Sequence, residues 1–370
     1  MKHRWLVLIL GAWLALPGAL FAQKKIFVVT TLPDYAYIAR YIGGDKVEVA
    51  HIVAGNQDAH FARPKPSFAA MLRRADLFVT TGLDLELWVP SLVDMANNPR
   101  IRSGQIGYVA AYDGIQLLDK PSALTRSEGG LHIYGNPHIQ SSPLNMKVVA
   151  DNIAIGLSKI SPENADFFAA NSRKFKDEID RRLFGEALVK LMGGKMLTKL
   201  ALSGNLIPFL QSKSFRGKKL IDYLGGWLKE GMLFRGEKIV TYHRNWVYFE
   251  HLFGLEEVGN VEPKPGIPPS PKHVEELVQE MRKNNVHVIL SANYFDEAKV
   301  RRIAEKVGAI PVIVPFYVGG VPEVKTVFDL YDYWVSHLKR AFLQVKGQAT
   351  SLVLPEGGTA RAALAAGNAK

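Results

Sequence analysis

Three histidines in this chain could hold a metal ion, and each stands at a junction between a predicted strand or helix and a loop. They end the stretches Asn56-Gln57-Asp58-Ala59-His60, Gly135-Asn136-Pro137-His138 and Val240-Thr241-Tyr242-His243. Neutral imidazole is the commonest protein ligand for zinc, and ligands gathered from distant segments can separate when those segments move. The pattern therefore predicts a metal site that can capture and release its ion.

The first half of the chain alternates strand and helix patterns, which positions the first two histidines. Apolar and β-branched runs predict strands at 25–30, 47–53 and 77–81, and helical spacing predicts helices at 33–42, 66–74 and 85–95. This alternation is typical of a parallel sheet with right-handed crossovers. His60 follows the second strand, and His138 precedes a helix predicted to begin near Pro143.

The second half repeats the scheme, with His243 directly after its first strand. Strands are predicted at 238–242, 257–261, 286–291 and 310–315, and helices at 246–253, 270–283 and 296–307. In open parallel sheets, ligands bind beyond the carboxyl ends of the strands. We therefore expect histidines from the two halves to meet in one cleft.

A long helix is predicted between the two halves. It begins at Ser161-Pro162-Glu163, and its apolar residues fall on one face: Phe168, Phe175, Ile179 and Leu183. At 1.5 Å per residue it would run about 35 Å and act as a stiff connector. The predicted fold class is α/β, with two lobes, each a parallel sheet flanked by helices, joined by a long rigid linker helix.

The whole chain divides into six predicted segments. They are a signal peptide at 1–22, an N-terminal metal-binding lobe at 23–158, the linker helix at 159–185, a helical insertion at 186–236, a C-terminal lobe at 237–346 and a disordered tail at 347–370. Glycines interrupt the apolar pieces of the insertion, and the tail is rich in alanine and glycine.

The N-terminus has the pattern of an export signal. A basic head, Met1-Lys2-His3-Arg4, precedes an apolar run that ends near Ala22 and is shorter than the roughly 20 residues of a membrane span. With no cysteine in the sequence, neither a disulfide nor a lipid-attached N-terminus is available. We expect a periplasmic protein secreted via a cleavable signal peptide, with an uncleaved anchor as the alternative.

The charge of the chain argues against a nucleic-acid partner. The formal net charge is +11, but the basic residues are scattered along the sequence. The densest group, Arg173-Lys174-Phe175-Lys176 with Arg181-Arg182, is interleaved with acidic residues, as on a solvated helix face. We therefore expect no nucleic acid among its partners.

The other histidines fall into two groups. One group lies within predicted helices or strands and is assigned structural roles: His51, His251, His273, His287 and His337. His132 lies in the same loop as His138, and it could be an auxiliary ligand or only a loop residue.

An ordered set of motifs runs through residues 25–345. The motifs are Gln57-Asp58-Ala59-His60 with Pro64-Lys65-Pro66-Ser67, Gly82-Leu83-Asp84-Leu85-Glu86-Leu87-Trp88, Gly135-Asn136-Pro137-His138, Tyr242-His243-Arg244-Asn245-Trp246-Val247-Tyr248-Phe249 and Glu262-Pro263-Lys264-Pro265-Gly266-Ile267-Pro268-Pro269-Ser270. Together they resemble the zinc- and manganese-binding solute-binding proteins of bacterial ABC importers. The resemblance implies one metal in the interlobe cleft, held by His60 and His138 from the first lobe and His243 from the second.

The chain departs from that family at its fourth ligand. Many members carry an acidic ligand after the last strand of the second lobe, where this chain has Val314-Pro315-Phe316-Tyr317-Val318-Gly319-Gly320. The Leu-Asp-Pro that usually follows the second histidine is Ser141-Ser142-Pro143, and the His-rich loop of some zinc carriers is missing. The fourth position is left to water, His132 or Glu262.

Two carboxylates could orient the ligand rings by accepting the ring N–H on the side away from the metal. Asp58 could orient His60 by accepting its second ring N–H, or it could cap the loop. Glu262 could orient another ligand, or it could be solvated.

The ligand chemistry favours Zn²⁺, with Mn²⁺ as the alternative, because manganese prefers more oxygen ligands. We expect His60 and His138 to catch the ion, His243 to complete the site as the lobes approach, and the closed, monomeric protein to dock on the membrane permease of an ABC importer.

Two other function classes stay open at this level. A zinc hydrolase also uses three protein ligands and water, but the chain has no His-Glu-x-x-His motif or other compact catalytic motif. An adhesin or a metal buffer that never meets a permease would share the same metal site.

Overall fold

The computed structural model describes residues 24–120 and 132–353. The signal peptide predicted at 1–22 therefore lies outside the described residues. Among the residues that are described, no helix has both the length and the apolar character needed to cross a membrane.

The first lobe is built on a four-stranded parallel sheet with the order β2-β1-β3-β4. Its strands are β1 (Ile26–Thr30), β2 (Val47–His51), β3 (Leu77–Thr80) and β4 (Tyr108–Ala110), and its helices are α1 (Pro33–Gly43), α2 (Pro66–Arg74), α3 (Val89–Ala96) and α4 (Pro143–Ile160). All residues of β3 and nearly all of β1 are buried, as expected for strands covered by helices on both faces.

Two details of this lobe differ from the sequence prediction. The short strand β4 was not predicted, because three residues carry no readable alternation. The helix predicted at 85–95 is divided into a 3₁₀ turn at Asp84–Glu86 and the helix α3, whose first turn contains Pro90. The division leaves Asp84 at the carboxyl edge of the sheet.

The linker helix is α5 (Ala165–Phe184), which begins later than the start predicted at Ser161-Pro162-Glu163 and lies within the predicted segment 159–185. Ser161 does not cap a helix; its hydroxyl bonds the Glu163 carboxylate, and Pro162–Asn164 forms a 3₁₀ turn. The predicted apolar face is buried along its whole length, at Phe168, Phe175, Ile179 and Leu183.

The segment after the linker contains short helices and a small hairpin. They are α6 (Glu186–Met192), α7 (Gly194–Leu202), α8 (Leu206–Ser212), the hairpin β5 (Ser214–Phe215) and β6 (Lys218–Lys219), and α9 (Gly226–Gly231). The α6 and α7 helices pack against α5, and α9 also packs against the last helix of the chain.

The second lobe repeats the architecture of the first, with a parallel sheet of order β10-β9-β7-β8. Its strands are β7 (Lys238–Thr241), β8 (Glu256–Asn260), β9 (Val288–Ala292) and β10 (Ile310–Val314), and its helices are α10 (Val247–Phe253), α11 (Pro271–Lys283), α12 (Glu297–Val307) and α13 (Val327–Val353). Ser270 and Asp296 cap α11 and α12 through side-chain oxygens.

The disordered tail predicted from residue 347 is wrong for its first residues, because α13 continues to Val353. A single glycine, Gly347, costs a helix only about 1 kcal/mol and does not end it. Residues 354–370 lie outside the described residues.

The two lobes share one hydrophobic core. A single cluster of buried side chains extends through both lobes, and a smaller one fills the second lobe beneath α11 and α12. Phe175 of α5 contacts Tyr41 of α1 and Phe328 of α13, at ring-centroid distances of 5.4 and 5.3 Å. A Cβ atom on Gly55 would lie 2.4 Å from the backbone of Gly319, so the loops after β2 and β10 are also in close contact.

We expect Phe175→Ala to destabilise the protein strongly, because it opens a cavity where three helices of both lobes meet. Truncating a buried phenylalanine typically costs about 3–5 kcal/mol of unfolding free energy, measurable by urea denaturation. Phe167→Ala is the matched control on the same helix, since Phe167 is 38% exposed, and it should cost about 1 kcal/mol or less. Equal losses for the two variants would contradict the shared core.

Asp34 predicts a pH dependence of stability. It is buried in the first turn of α1, and burial raises its pKa from 3.8 to about 7, although backbone N–H groups of Asp34 and Val318 oppose the shift. Between these two pKa values the folded state keeps a proton that the unfolded state has released. The unfolding free energy should therefore fall as pH rises through this window, by at most about 1.4 kcal/mol per pH unit.

Comparing Asp34→Asn with the wild type isolates this effect, because the amide stays uncharged. The stability of the variant relative to wild type should rise from about pH 4 to about pH 7 and then level off. Asp45→Asn, at an exposed carboxylate, is the control. A stability difference that does not change with pH would refute the assignment.

Candidate metal centre

His60 lies in a 3₁₀ turn, Ala59–Phe61, beyond the carboxyl end of β2. Asp58 Oδ1 accepts hydrogen bonds from the backbone N–H of His60, at 2.9 Å, and from its ring Nδ1, at 2.7 Å. Asp58 thus both caps the turn at its backbone and orients the His60 ring, the two alternatives that the sequence left open. The indole of Trp88 donates to the Ala59 carbonyl at 2.8 Å and fixes the turn on the lobe.

His132 is held by Asp84, which lies in the 3₁₀ turn just beyond β3. Asp84 Oδ1 is 2.8 Å from His132 Nδ1, and Asp84 Oδ2 accepts the backbone N–H of Ile133 at 3.2 Å. One carboxylate therefore sets both the position of the loop and the orientation of the ring.

His138 precedes α4, and Asn136 orients it. The side-chain oxygen of Asn136 accepts the backbone N–H of His138 at 3.0 Å and lies 2.9 Å from ring Nδ1. The amide nitrogen of Asn136 donates to the carbonyl of Arg244 in the second lobe at 2.8 Å. The ring of His138 is thus positioned by a residue that also contacts the other lobe.

His243 follows β7 in the second lobe and is oriented by Glu262, which follows the neighbouring strand β8. Glu262 Oε2 lies 3.0 Å from His243 Nδ1, and Glu262 Oε1 accepts the backbone N–H of Gly266. The hydroxyl of Thr241 donates to the His243 carbonyl at 3.0 Å.

The four imidazoles converge on one point. One ring nitrogen from each of His60, His132, His138 and His243 lies within 4.8 Å of every other. His60 Nε2 and His132 Nε2 are separated by 3.4 Å. Tetrahedral zinc with Zn–N bonds of about 2.0–2.1 Å needs ligand nitrogens about 3.4 Å apart, so the cluster has a suitable size for that ion.

The hydrogen-bond partners of the four Nδ1 atoms determine whether the Nε2 atoms carry a proton. An ionised carboxylate accepts hydrogen bonds only, and the Asn136 oxygen is also an acceptor, so each Nδ1 carries the proton. In the neutral rings each Nε2 is then an unprotonated lone pair. Four such lone pairs facing one another cannot form hydrogen bonds together, whereas a cation between them would satisfy all four.

Burial and pKa shifts support this protonation state. His138 and His243 are 1% and 5% exposed, and their buried Nε2 atoms have no hydrogen-bond partner. Burial, with the other imidazoles of the cluster, holds the pKa of His138 well below its usual value. Burial also lowers the pKa of His243, although the hydrogen bond to Glu262 opposes the shift. Both rings are therefore neutral at neutral pH and can bind metal.

The loops after β9 and β10 place the aromatic rings of Phe295 and Phe316 beside the cluster. Phe316 packs edge-on against His138 with ring centroids 6.0 Å apart, and Phe295 lies 6.0 Å from His243. These rings form an apolar wall on the buried side of the cluster. Among the described residues no carboxylate joins the cluster, and His132 supplies its fourth nitrogen.

The structure brings together all three histidines predicted as ligands, and it adds His132 as an equal member of the group. The two carboxylates predicted as auxiliary, Asp58 and Glu262, lie behind the rings at Nδ1. The sequence analysis missed Asp84 and Asn136. The spacing of Asn136 to His138 repeats that of Asp58 to His60, which is a signal for Asn136, whereas Asp84 is 48 residues from His132 and leaves no local pattern.

Comparisons with known proteins match this chain to a family. The family model described as ZnuA, zinc-uptake complex component A, periplasmic, matches residues 28–182 and 217–341. The chain belongs to this family. Members of the ZnuA family are metal-binding substrate-binding proteins of ABC importers, not enzymes, which confirms the resemblance and the transport class predicted from the sequence.

One curated relative covers nearly the same length as this chain. The manganese ABC transporter substrate-binding lipoprotein PsaA of Streptococcus pneumoniae is 24% identical over 314 residues, 84% of this chain and 85% of the relative. Both a zinc-uptake family and a manganese-binding relative are therefore similar to this chain.

Two solved structures share the architecture. A zinc-bound ZnuA deletion mutant has a TM-score of 0.61 and 22% identity, covering 86% of this chain and 98% of that one. The Mn-bound periplasmic metal binding protein from Candidatus Liberibacter asiaticus has a TM-score of 0.61 and 18% identity, covering 86% and 100%. These likenesses confirm the two-lobed α/β fold.

We expect Asp84→Asn to weaken metal binding. An amide keeps the hydrogen bond to Ile133 only by turning its NH₂ group toward His132 Nδ1, which favours the tautomer with the proton on Nε2. Removing such an outer partner typically lowers metal affinity about 10- to 100-fold, measurable by competition with a chromophoric chelator. Asp94→Asn, at an exposed carboxylate, should bind as wild type; wild-type affinity in both variants would contradict this role for Asp84.

Proposed function

We propose that this protein binds Zn²⁺ through the Nε2 atoms of His60, His132, His138 and His243, and delivers it to an ABC permease. The observation that carries the proposal is the composition of the cluster, which consists of four imidazole nitrogens and contains no carboxylate oxygen among the described residues. Imidazole donors suit zinc, whereas Mn²⁺ prefers oxygen ligands and lies lower in the divalent affinity order. The three nearby carboxylates orient the rings and do not compete for the ion.

We further propose that His132 takes the fourth position, which the sequence left to water, His132 or Glu262. The short Nε2–Nε2 distance between His132 and His60 supports His132. Both oxygens of Glu262 already accept hydrogen bonds, from His243 Nδ1 and from Gly266, which argues against Glu262 as a ligand.

The shared core implies that capture needs only a small movement of the lobes. The first lobe supplies three of the rings and the second lobe supplies His243, so the bound ion would favour the closed arrangement by its affinity for that state. We propose that the mature protein acts as a periplasmic monomer after removal of residues 1–22.

Calorimetric titration of metal-stripped protein with Zn²⁺ and Mn²⁺ tests the ligand set. Each of His132→Gln, His138→Gln and His243→Gln should lower zinc affinity by more than the roughly 10- to 100-fold effect of an outer partner. His251→Gln is the control, because His251 is exposed on α10, and it should bind as wild type.

Two outcomes of this titration would count against the proposal. Unchanged affinity in His132→Gln would exclude four-histidine coordination. Tighter binding of Mn²⁺ than of Zn²⁺ by the wild type would assign the protein to manganese instead.

Delivery to a permease is tested in the host cell. A strain lacking this protein should grow poorly under zinc limitation and take up labelled zinc slowly. The wild-type gene and the His251→Gln gene should restore uptake, whereas the doubly substituted His138→Gln, His243→Gln gene should not. Normal zinc uptake in the deletion strain would favour a metal buffer or an adhesin over a transport component.

A further inference from the structure

Residues 186–219 hold an unusual share of the positive charge of the chain. This segment contains seven lysines and arginines and one glutamate, a net charge of +6 out of +11 for the whole sequence. All seven basic residues are exposed. Five of the seven basic residues lie at 183–216, between the two ranges that the ZnuA family model matches.

One face of α7 combines basic and apolar side chains. Lys195, Lys199 and Leu202 are spaced four and three residues apart and share one side of the helix, with Met196 beside them. Met196 and Leu202 are 51% and 46% exposed. The opposite face buries Leu197 and Ala201 toward the protein.

The β5–β6 hairpin presents a second group of the same kind. Its two-residue turn, Arg216 and Gly217, has φ angles of +50° and +78°, as in a tight hairpin that projects its tip. Phe215 is 40% exposed beside the turn, with the Arg216 guanidinium 5.2 Å from its ring. Lys213, Lys218 and Lys219 flank it.

These charges are nearly unopposed. Among the described residues, the one ion pair formed by the seven is Lys190 with Glu186. The linker helix α5 is different, because Arg181 and Arg182 there pair with Glu178. The scattered, compensated charge expected from the sequence therefore describes α5 but not the segment that follows it.

We propose that the β5–β6 hairpin with the adjacent Lys213, here called the basic–apolar surface, binds the headgroups of an anionic phospholipid bilayer. Lysine and arginine are attracted to an anionic membrane surface, and exposed aromatic side chains insert at the headgroup level. A soluble carrier held at the membrane by this surface would search for its permease in two dimensions. The proposal does not depend on which metal the protein carries.

The test is co-sedimentation of the zinc-loaded mature protein, without residues 1–22, with lipid vesicles. Binding should be found with phosphatidylcholine vesicles that contain phosphatidylglycerol, should be absent with pure phosphatidylcholine, and should fall as salt is raised. The hairpin variant should partition onto the vesicles at least about tenfold less than the wild type. Its substitutions are Lys213→Gln, Arg216→Gln, Lys218→Gln and Lys219→Gln. Phe215→Ser should lose binding with no change of charge.

A matched control removes the same charge elsewhere. The control variant changes four exposed residues of α11 and α12 and should partition as wild type. Its substitutions are Lys272→Gln, Lys283→Gln, Arg302→Gln and Lys306→Gln. Unchanged zinc affinity in every variant verifies folding, because none of these residues touches the metal centre. Equal partitioning of the hairpin and control variants would overturn the proposal. It would also be overturned if the protein did not bind anionic vesicles but bound the purified permease in detergent through the hairpin.

Discussion

Four unprotonated imidazole nitrogens aimed at one another form an arrangement that a protein cannot satisfy by itself. The Nε2 atoms of His138 and His243 are buried without a hydrogen-bond partner, and in the neutral rings none of the four Nε2 positions carries an N–H group for another. The arrangement persists because the remaining ring nitrogens are fixed by Asp58, Asp84, Asn136 and Glu262, which determine both tautomer and direction. Much of the local structure at the carboxyl ends of the two sheets serves to hold these four acceptors.

The link between the lobes is built into the same set of contacts. Asn136 accepts from the ring of His138 and donates to the carbonyl of Arg244, the residue after His243. The guanidinium of Arg244 in turn pairs with Asp119 of the first lobe through two hydrogen bonds of 2.6 and 3.0 Å. The hydroxyl of Tyr248 donates to the Asn136 carbonyl. A change in the position of His138 is therefore transmitted directly to the second lobe.

Much of the fold could be predicted from the sequence, because its signals are local. The buried strands and amphipathic helices were identified within a few residues, and α2 was predicted with its observed bounds. The errors have local causes. The strand β4 is too short to show a period, Ser161 bonds the side chain of Glu163 rather than capping a helix, and a single glycine did not stop α13.

The site was only partly predictable, because its chemistry depends on contacts distant in sequence. Histidines at strand ends could be selected by position, but the equal standing of His132 depends on Asp84, a residue in another loop. The role of Glu262 depends on the pairing of β7 with β8, which brings it beside His243. No spacing rule within one segment contains that information.

The four rings of the candidate metal centre differ in burial, so two of them face the interior and two are nearer the solvent. His138 and His243 are almost completely covered, whereas the side chains of His60 and His132 keep 11% and 15% of their surface open to solvent. The outer two rings are anchored by aspartates of the first lobe alone, so they can swing away without breaking any interlobe bond. At the proposed four-histidine site, an incoming donor would therefore meet His60 and His132 first, while His138 and His243 would still hold the ion.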